Sequence, residues 1–179
     1  MISPSVSGKR LGILGLGAVG QAIAKRANLG FDMPVSYHSR TPREDVPYTW
    51  YDSPLHLAEA VDIMVVATPG GANTQHLVDA HVLEALGGKG YLVNIARASV
   101  VDTDALVAAL EQGKLAGAAL DVFDDEPAVP DALKAMANTV LTPHVAGQSP
   151  EAARDTVTLV LHNLQAFFAG EPVLTPVRQ

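Results

Sequence analysis

Leu11-Gly12-Ile13-Leu14-Gly15-Leu16-Gly17-Ala18-Val19-Gly20 is the stretch whose reading decides the fold. Leu11 to Leu14 is a short apolar run ending in glycine, the pattern of a buried strand. From Ala18 the apolar positions Val19, Ile23 and Ala27 recur at helical spacing until Gly30, the expected terminator. Strand, turn and helix therefore follow one another within twenty residues. The glycines between them fit G-x-G-x-x-G directly after a strand and opening a helix, where a nucleotide diphosphate would need them. Gly15 permits the tight turn, and Gly17 lets a pyrophosphate reach the backbone beside Ala18 and Val19. Gly20 lets helix and strand pack closely, while the helix N-terminus offers N–H groups to the anion. A merely flexible glycine-rich turn would not need that flanking order.

The same beat continues along the chain. Val35 to Tyr37 reads as a second strand, Ser53 as the cap of a short helix through Ala60, and Ile63 to Val66 as a buried strand. After a Thr68-Pro69-Gly70-Gly71 turn come one or two helical pieces ending at Gly87-Gly88, then a strand from Tyr91 to Ile95. Asp102 or Thr103 caps a helix to Gln112, Ala116 to Val122 is another strand, and Val140-Leu141 a last short one. Strands alternating with helices predict an α/β fold, a doubly wound parallel sheet of Rossmann type, since parallel crossovers need intervening helices. The acidic, Pro-containing stretch from Asp124 to Pro130 reads as a loop. A closing helix starts at Ser149 as N-cap with Pro150 at its first position and Glu151 near its positive end, and stops at Gly170. Its stripe of Ala153, Val157, Val160, Leu161, Leu164, Phe167 and Phe168 demands a partner surface.

Composition narrows the classes. The chain of 179 residues suits one well-cored domain plus trimmings. With 48% hydrophobic and 17% charged residues it should fold. The net charge is −7 and the twelve Lys and Arg form no basic run, which argues against a nucleic-acid partner. The absence of cysteine excludes disulfides, thiolate catalysis and a Cys-based zinc site, and no metal site is expected. Lys9-Arg10 before an apolar stretch imitates a signal peptide, but Gly12, Gly15, Gly17 and Gly20 would weaken a signal helix. No apolar run approaches the ~20 residues of a membrane span. A cytoplasmic protein is the default expectation.

The second strand bears on which nucleotide is bound. An NAD-type site places an acid about 20 residues past the glycine loop, at the end of that strand, to accept from the ribose 2′-hydroxyl. Here the place reads Tyr37-His38-Ser39-Arg40. Asp32 precedes the strand, and Glu44 and Asp45 lie deeper in the following loop. A 2′-phosphate would instead meet the Ser39 hydroxyl and the Arg40 guanidinium, helped by Arg43. The expected cofactor is NADP(H), with NAD(H) as the alternative should Arg40 merely stack on adenine.

Three polar residues follow predicted strands: Arg97, Glu126 and His144. In an open parallel sheet the carboxyl ends of strands are where ligands bind. Taken singly, each is more often a surface cation, a loop charge or a structural histidine. Their blocks, Asn94-Ile95-Ala96-Arg97-Ala98, Ala119 to Pro127, and Leu141-Thr142-Pro143-His144-Val145-Ala146-Gly147, resemble in order and spacing the three signature blocks of the D-isomer-specific 2-hydroxyacid dehydrogenases. The Ser-Arg after the second strand and the Thr68 to Gly71 turn are most similar to the NADP-dependent glyoxylate, hydroxypyruvate and hydroxyphenylpyruvate reductases of that family.

The resemblance, running from about Gly8 to Pro176, implies hydride transfer to a small 2-keto acid. Arg97 would grip the carboxylate and carbonyl, a task suited to a planar bidentate donor. His144 would give a proton to the carbonyl oxygen, and Glu126 would hold the other ring nitrogen and steady the charged imidazolium. Asp121 would meet the nicotinamide carboxamide, unless it is only a turn cap. Thr68, Ile95 and Ala96 would line ribose and ring, with Pro69, Thr74, His144 and Gly147 completing the nucleotide site. Where the family commonly has glycine after the catalytic arginine, this chain has Ala98. Family members also carry a separate substrate domain built mostly from a segment before the glycine loop, and only seven residues precede Gly8. The expected organisation is thus a residual linker (1–7), a dinucleotide-binding domain (8–148) and a helix with tail (149–179) that returns to the substrate domain. The chain would represent mainly the cofactor half of a homodimeric reductase. The alternative is a non-catalytic nucleotide-binding module or an inactive fragment.

Overall fold

The computed structural model describes residues 4–177; the first three residues of the expected linker and the last two of the tail lie outside them. One compact unit ends at His144 and a second begins at Val145, four residues before the boundary expected from the sequence. In the first unit the described residues form seven parallel strands in the order β3-β2-β1-β4-β5-β6-β7. These are β1 (Leu11–Leu14), β2 (Val35–His38), β3 (Thr49–Tyr51), β4 (Ile63–Val66), β5 (Tyr91–Asn94), β6 (Gly117–Leu120) and β7 (Thr139–Leu141). The expected α/β, doubly wound, Rossmann-like sheet is what the chain forms.

Register follows from alternation. Ile13 stands beside both Tyr37 and Val65, and these pack on one face of the sheet with Leu11, Val35 and the buried Ala24 and Ala27 of α1 (Ala18–Phe31). Leu14, Met64, Val66, Leu92, Ala118 and Leu120 point the other way. There they meet Leu57 of α2 (Pro54–Ala60), Val82, Leu83 and Leu86 of α3 (Ala80–Leu86), and Leu106 and Leu110 of α4 (Thr103–Glu111). Both faces carry apolar side chains, as a parallel sheet requires.

Three features depart most from the sequence reading, beyond shifts of one or two residues at other element ends. α1 runs through Gly30 to Phe31 and ends at Asp32, which adopts φ 51° and returns its N–H to the Ala27 carbonyl. A short acidic side chain tolerates this left-handed position, so the glycine two residues earlier stays helical. β3 was not expected: three residues carry too little alternation to register as a strand, yet Ser36, Tyr37 and His38 pair with them. A five-residue helix, α5 (Asp131–Ala135), follows the loop read from Asp124 to Pro130.

Capping matches the sequence where a side chain does the capping. Ser53, Asp102 and Ser149 accept from the backbone N–H three residues on. Asp79 accepts from His81 and Val82, and the Val82 N–H holds its carboxyl below the usual carboxylate range. The folded pKa lies below the unfolded one, so this stabilisation is present above ~3.9 and fades as pH falls through the folded value. Asp79→Ala should cost about 1 kcal/mol near neutrality. Urea midpoints of parent and variant should converge on acidification.

The second unit is built on α6 (Pro150–Phe168), which ends at Ala169 with Gly170 at φ 73°. Val157, Leu161, Leu164 and Phe168 of its stripe are exposed, and Thr175 is tied back to Asn163. Among the described residues no helix is long and apolar enough to cross a membrane.

Candidate functional site

The sheet order reverses between β1 and β4, which leave the centre in opposite directions. That is where a crevice opens at the carboxyl ends of the strands. Two adjoining cavities occupy it. One, about 570 Å³, is lined by Gly15, Leu16, Gly17, His38, Ser39, Arg40, Thr41 and Arg43 on one side and Thr68 to Thr74 on the other. The second, about 610 Å³, shares Thr68 to Gly71 and adds Val19, Ile95, Ala96, Arg97 and Ser99.

The glycine loop fits an anion on its own geometry. Gly15 has φ 97° and lies so close to β4's exit that a Cβ there would stand 2.7 Å from the Thr68 backbone nitrogen. A Cβ at Gly20 would collide with the Gly15 carbonyl oxygen, whereas one at Gly17 would meet nothing within 4 Å. The N-cap of α1 is Gly17, without a capping side chain, and its first turn has no acidic residue. The positive end of a fourteen-residue helix is thus left for an external negative charge. Val19, 57% exposed, adds an apolar surface beside the second cavity, suited to a ring.

At the outer end of the first cavity, β2 delivers Ser39 and Arg40. No ion pair engages Arg40 among the described residues, while the Ser39 hydroxyl donates to the Thr41 carbonyl at 2.7 Å. Arg43 is already occupied. Its Nε and Nη2 donate to Asp45 at 2.9 and 2.6 Å, and its Nη1 donates to the Leu16 carbonyl at 3.3 Å. The pairing raises the Arg43 pKa and lowers that of Asp45. Across the cavity the Thr74 hydroxyl closes its own turn, donating to the Pro69 carbonyl at 2.8 Å.

β5, β6 and β7 lie side by side and deliver Arg97, Asp121 and His144 in that order along the sheet edge. Adjacent strands are about 5 Å apart, so the three residues follow neighbouring strand ends, with β5 and β7 about 10 Å from each other. Arg97 is exposed, with Nη1 docked on the Ala96 carbonyl at 2.6 Å. Its stem passes over Gly70, where a Cβ would come within 2.8 Å of Cγ. Asn94, 1% exposed, holds this turn by donating from Nδ2 to the Arg97 carbonyl and accepting the Ala96 N–H, both at 3.0 Å. Asp121 is 5% exposed and accepts the Thr142 hydroxyl at 2.6 Å. Sequence patterns assign no role to Asn94 or Thr142; a polar side chain ending an apolar strand is the available signal for Asn94.

His144 sits at φ 54°, its N–H on the Thr142 carbonyl. Its Nδ1 donates to Glu126 Oε2 at 2.8 Å, while Glu126 Oε1 accepts the Phe123 N–H at 3.0 Å. The His144 hydrogen bond first, and the Phe123 N–H second, hold the Glu126 carboxyl below the usual carboxylate range. A carboxylate fixed by two donors presents the imidazole with its proton on Nδ1 and Nε2 on the opposite side of the ring. Of the predicted residues, Gly147 belongs to the second unit.

A glycine loop at the switch point of a parallel sheet, with no competing anion on its helix, defines a Rossmann-type dinucleotide-binding domain. Residues 1–146 match the model of the D-isomer specific 2-hydroxyacid dehydrogenase, NAD binding domain, and the chain belongs to that family. It is 48% identical to glyoxylate/hydroxypyruvate reductase A of Arabidopsis thaliana and 47% identical to hydroxyphenylpyruvate reductase of Plectranthus scutellarioides, covering 98% of this chain and 56% of each relative. The NADPH-dependent glyoxylate/hydroxypyruvate reductase of Sinorhizobium meliloti, solved with NADP and malonate, superposes with a TM-score of 0.90 at 47% identity, over 95% of this chain and 53% of that one. The chain spans about half the length of the relatives it matches.

Proposed function

We propose that this chain is the cofactor-binding half of an NADP(H)-dependent reductase that converts a small 2-keto acid of the glyoxylate or hydroxypyruvate type to its D-2-hydroxy acid. The observation that carries the reading is the row of Arg97, Asp121 and the Glu126–His144 pair beside a nucleotide cradle whose second strand ends without a carboxylate. When bound, the nicotinamide supplies or accepts the hydride. The chain's residues supply the rest. Arg97 swings off the Ala96 carbonyl to take the substrate carboxylate in a two-point grip. His144 passes its Nε2 proton to the carbonyl oxygen while Glu126 keeps Nδ1 protonated and the ring aligned. Asp121, fixed by Thr142, faces the carboxamide, and Ser39 and Arg40 receive a 2′-phosphate. The NADPH dependence of the S. meliloti enzyme supports the choice of nucleotide.

Calorimetric titration with NADPH and NADH tests the preference. NADPH is expected to bind more tightly, and Arg40→Ala to weaken it roughly tenfold while leaving NADH nearly unchanged, the effect of losing a charge-assisted contact. NADH binding at least as tight as NADPH in the unmodified chain would overturn the nucleotide assignment.

A further inference from the structure

The turn after β2, where the adenosine ribose would be read, has no ladder of its own: residues 39–48 are irregular. Its conformation is fixed from behind by two aromatic side chains that do not line the nucleotide cavity. Tyr37 is fully buried beneath α1, and its hydroxyl accepts the Arg43 N–H at 2.7 Å. Trp50, on β3, donates from Nε1 to the Ser39 carbonyl at 3.1 Å. One anchor holds the entry of the turn and the other its far side, so Ser39, Arg40 and Thr41 are suspended between them. β3 is itself tied in, because His38 Nδ1 donates to the Tyr51 carbonyl at 2.9 Å. In front, Arg43 spans from Asp45 to the Leu16 carbonyl of the glycine loop, joining the turn to the diphosphate cradle.

We propose that Tyr37 and Trp50 are positioning residues for nucleotide discrimination: they set the placement of the Ser39–Arg43 turn, and with it the preference for a 2′-phosphorylated over a 2′-hydroxyl nucleotide. The physical reason is selectivity of contact. A displaced turn moves the groups that face the 2′ position, whereas the diphosphate and nicotinamide contacts of that reading would stand at β1, α1 and the ends of β4, β5 and β6. A shift of about an ångström is enough to lose a well-aligned polar contact. The proposal rests on the NADP(H) reading above and deepens it.

Tyr37→Phe removes only the hydroxyl, and Trp50→Phe removes the indole N–H while keeping an aromatic body. Each is titrated calorimetrically with NADPH and NADH, alongside its melting temperature. The expected result is an NADPH Kd raised about fivefold with the NADH Kd changed less than about twofold, the size of one lost hydrogen bond. Equal weakening of both nucleotides, tracking a lowered melting temperature, would assign the two aromatics a purely structural role and overturn the proposal, as would an unchanged ratio in both variants. Should Tyr37→Phe fail to fold, Trp50→Phe decides alone. A parent chain that prefers NADH refutes the nucleotide reading instead, and the positioning claim is still judged by whether the ratio moves.

Discussion

Alanine at Gly20 is expected to remove nucleotide binding and to destabilise the chain by on the order of 3 kcal/mol, the scale of severe overpacking. The new methyl group would strike the Gly15 carbonyl oxygen on one side and stand 3.0 Å from Ile13 Cγ2 on the other. The first neighbour is backbone and the second is fully buried, so no rotamer relieves the clash. α1 must then lift from β1, carrying its N-terminal N–H groups away from the diphosphate, and the NADPH Kd should rise by roughly 100-fold or more. Alanine at Gly17 makes the informative contrast, since its Cβ would enter open space. Its melting temperature should stay near that of the parent, while NADPH binding falls because the methyl group occupies the ground where the pyrophosphate approaches. Thermal denaturation and calorimetry on the pair check both statements. Normal NADPH binding by Gly17→Ala would show that the ligand does not approach the backbone there.

The contrast between these glycines marks what was legible in the sequence. Spacing alone placed Gly15, Gly17 and Gly20 where a strand gives way to a helix, and in the fold Gly15 and Gly20 sit at close backbone approaches while Gly17 faces open space. The alternation of strands and helices was equally readable, because buried parallel strands and amphipathic helices leave contrasting periods. Short pieces were not: β3 and α5 are held by pairing and packing with distant residues, and their sequences carry no period long enough to read. The candidate site was legible as residue types after strand ends, and less so as contacts. Arg43 could be named as a cation near the 2′ position, but its commitment to Asp45 and to a carbonyl 27 residues away depends on how the turn folds back. The roles of Thr142, Tyr37 and Trp50 were hidden for the same reason, since each acts through a backbone or side-chain partner that only the folding-back of the chain brings near.

Replacing His144 with alanine is expected to lower the rate of glyoxylate or hydroxypyruvate reduction by about a thousandfold, within the range of a lost general acid. NADPH affinity should stay within a few-fold of the parent, because the glycine loop and the Ser39–Arg40 turn are untouched. Turnover by this chain should be slow, since its relatives are about twice as long, so the effect is read as a ratio of variant to parent. Glu126→Gln separates orientation from proton transfer. The amide oxygen still accepts a hydrogen bond but carries no charge to balance an imidazolium, and a loss of roughly tenfold to a hundredfold in kcat relative to the parent is expected from this change alone, with KM little altered. The two variants should also differ from the parent on acidification. In the parent, Glu126 has a folded pKa depressed by the His144 hydrogen bond, so its carboxylate is ionised above the usual carboxylate value of about 4.3 and takes up a proton only as pH falls through the lower folded value. The glutamine variant has no group to protonate at that place and should lack this acid step in its pH profile. A His144→Ala rate within tenfold of the parent would mean that the proton reaches the carbonyl oxygen from another donor, and the imidazole–carboxylate pair at the end of β7 would then be a structural clasp between the loops that carry Glu126 and His144.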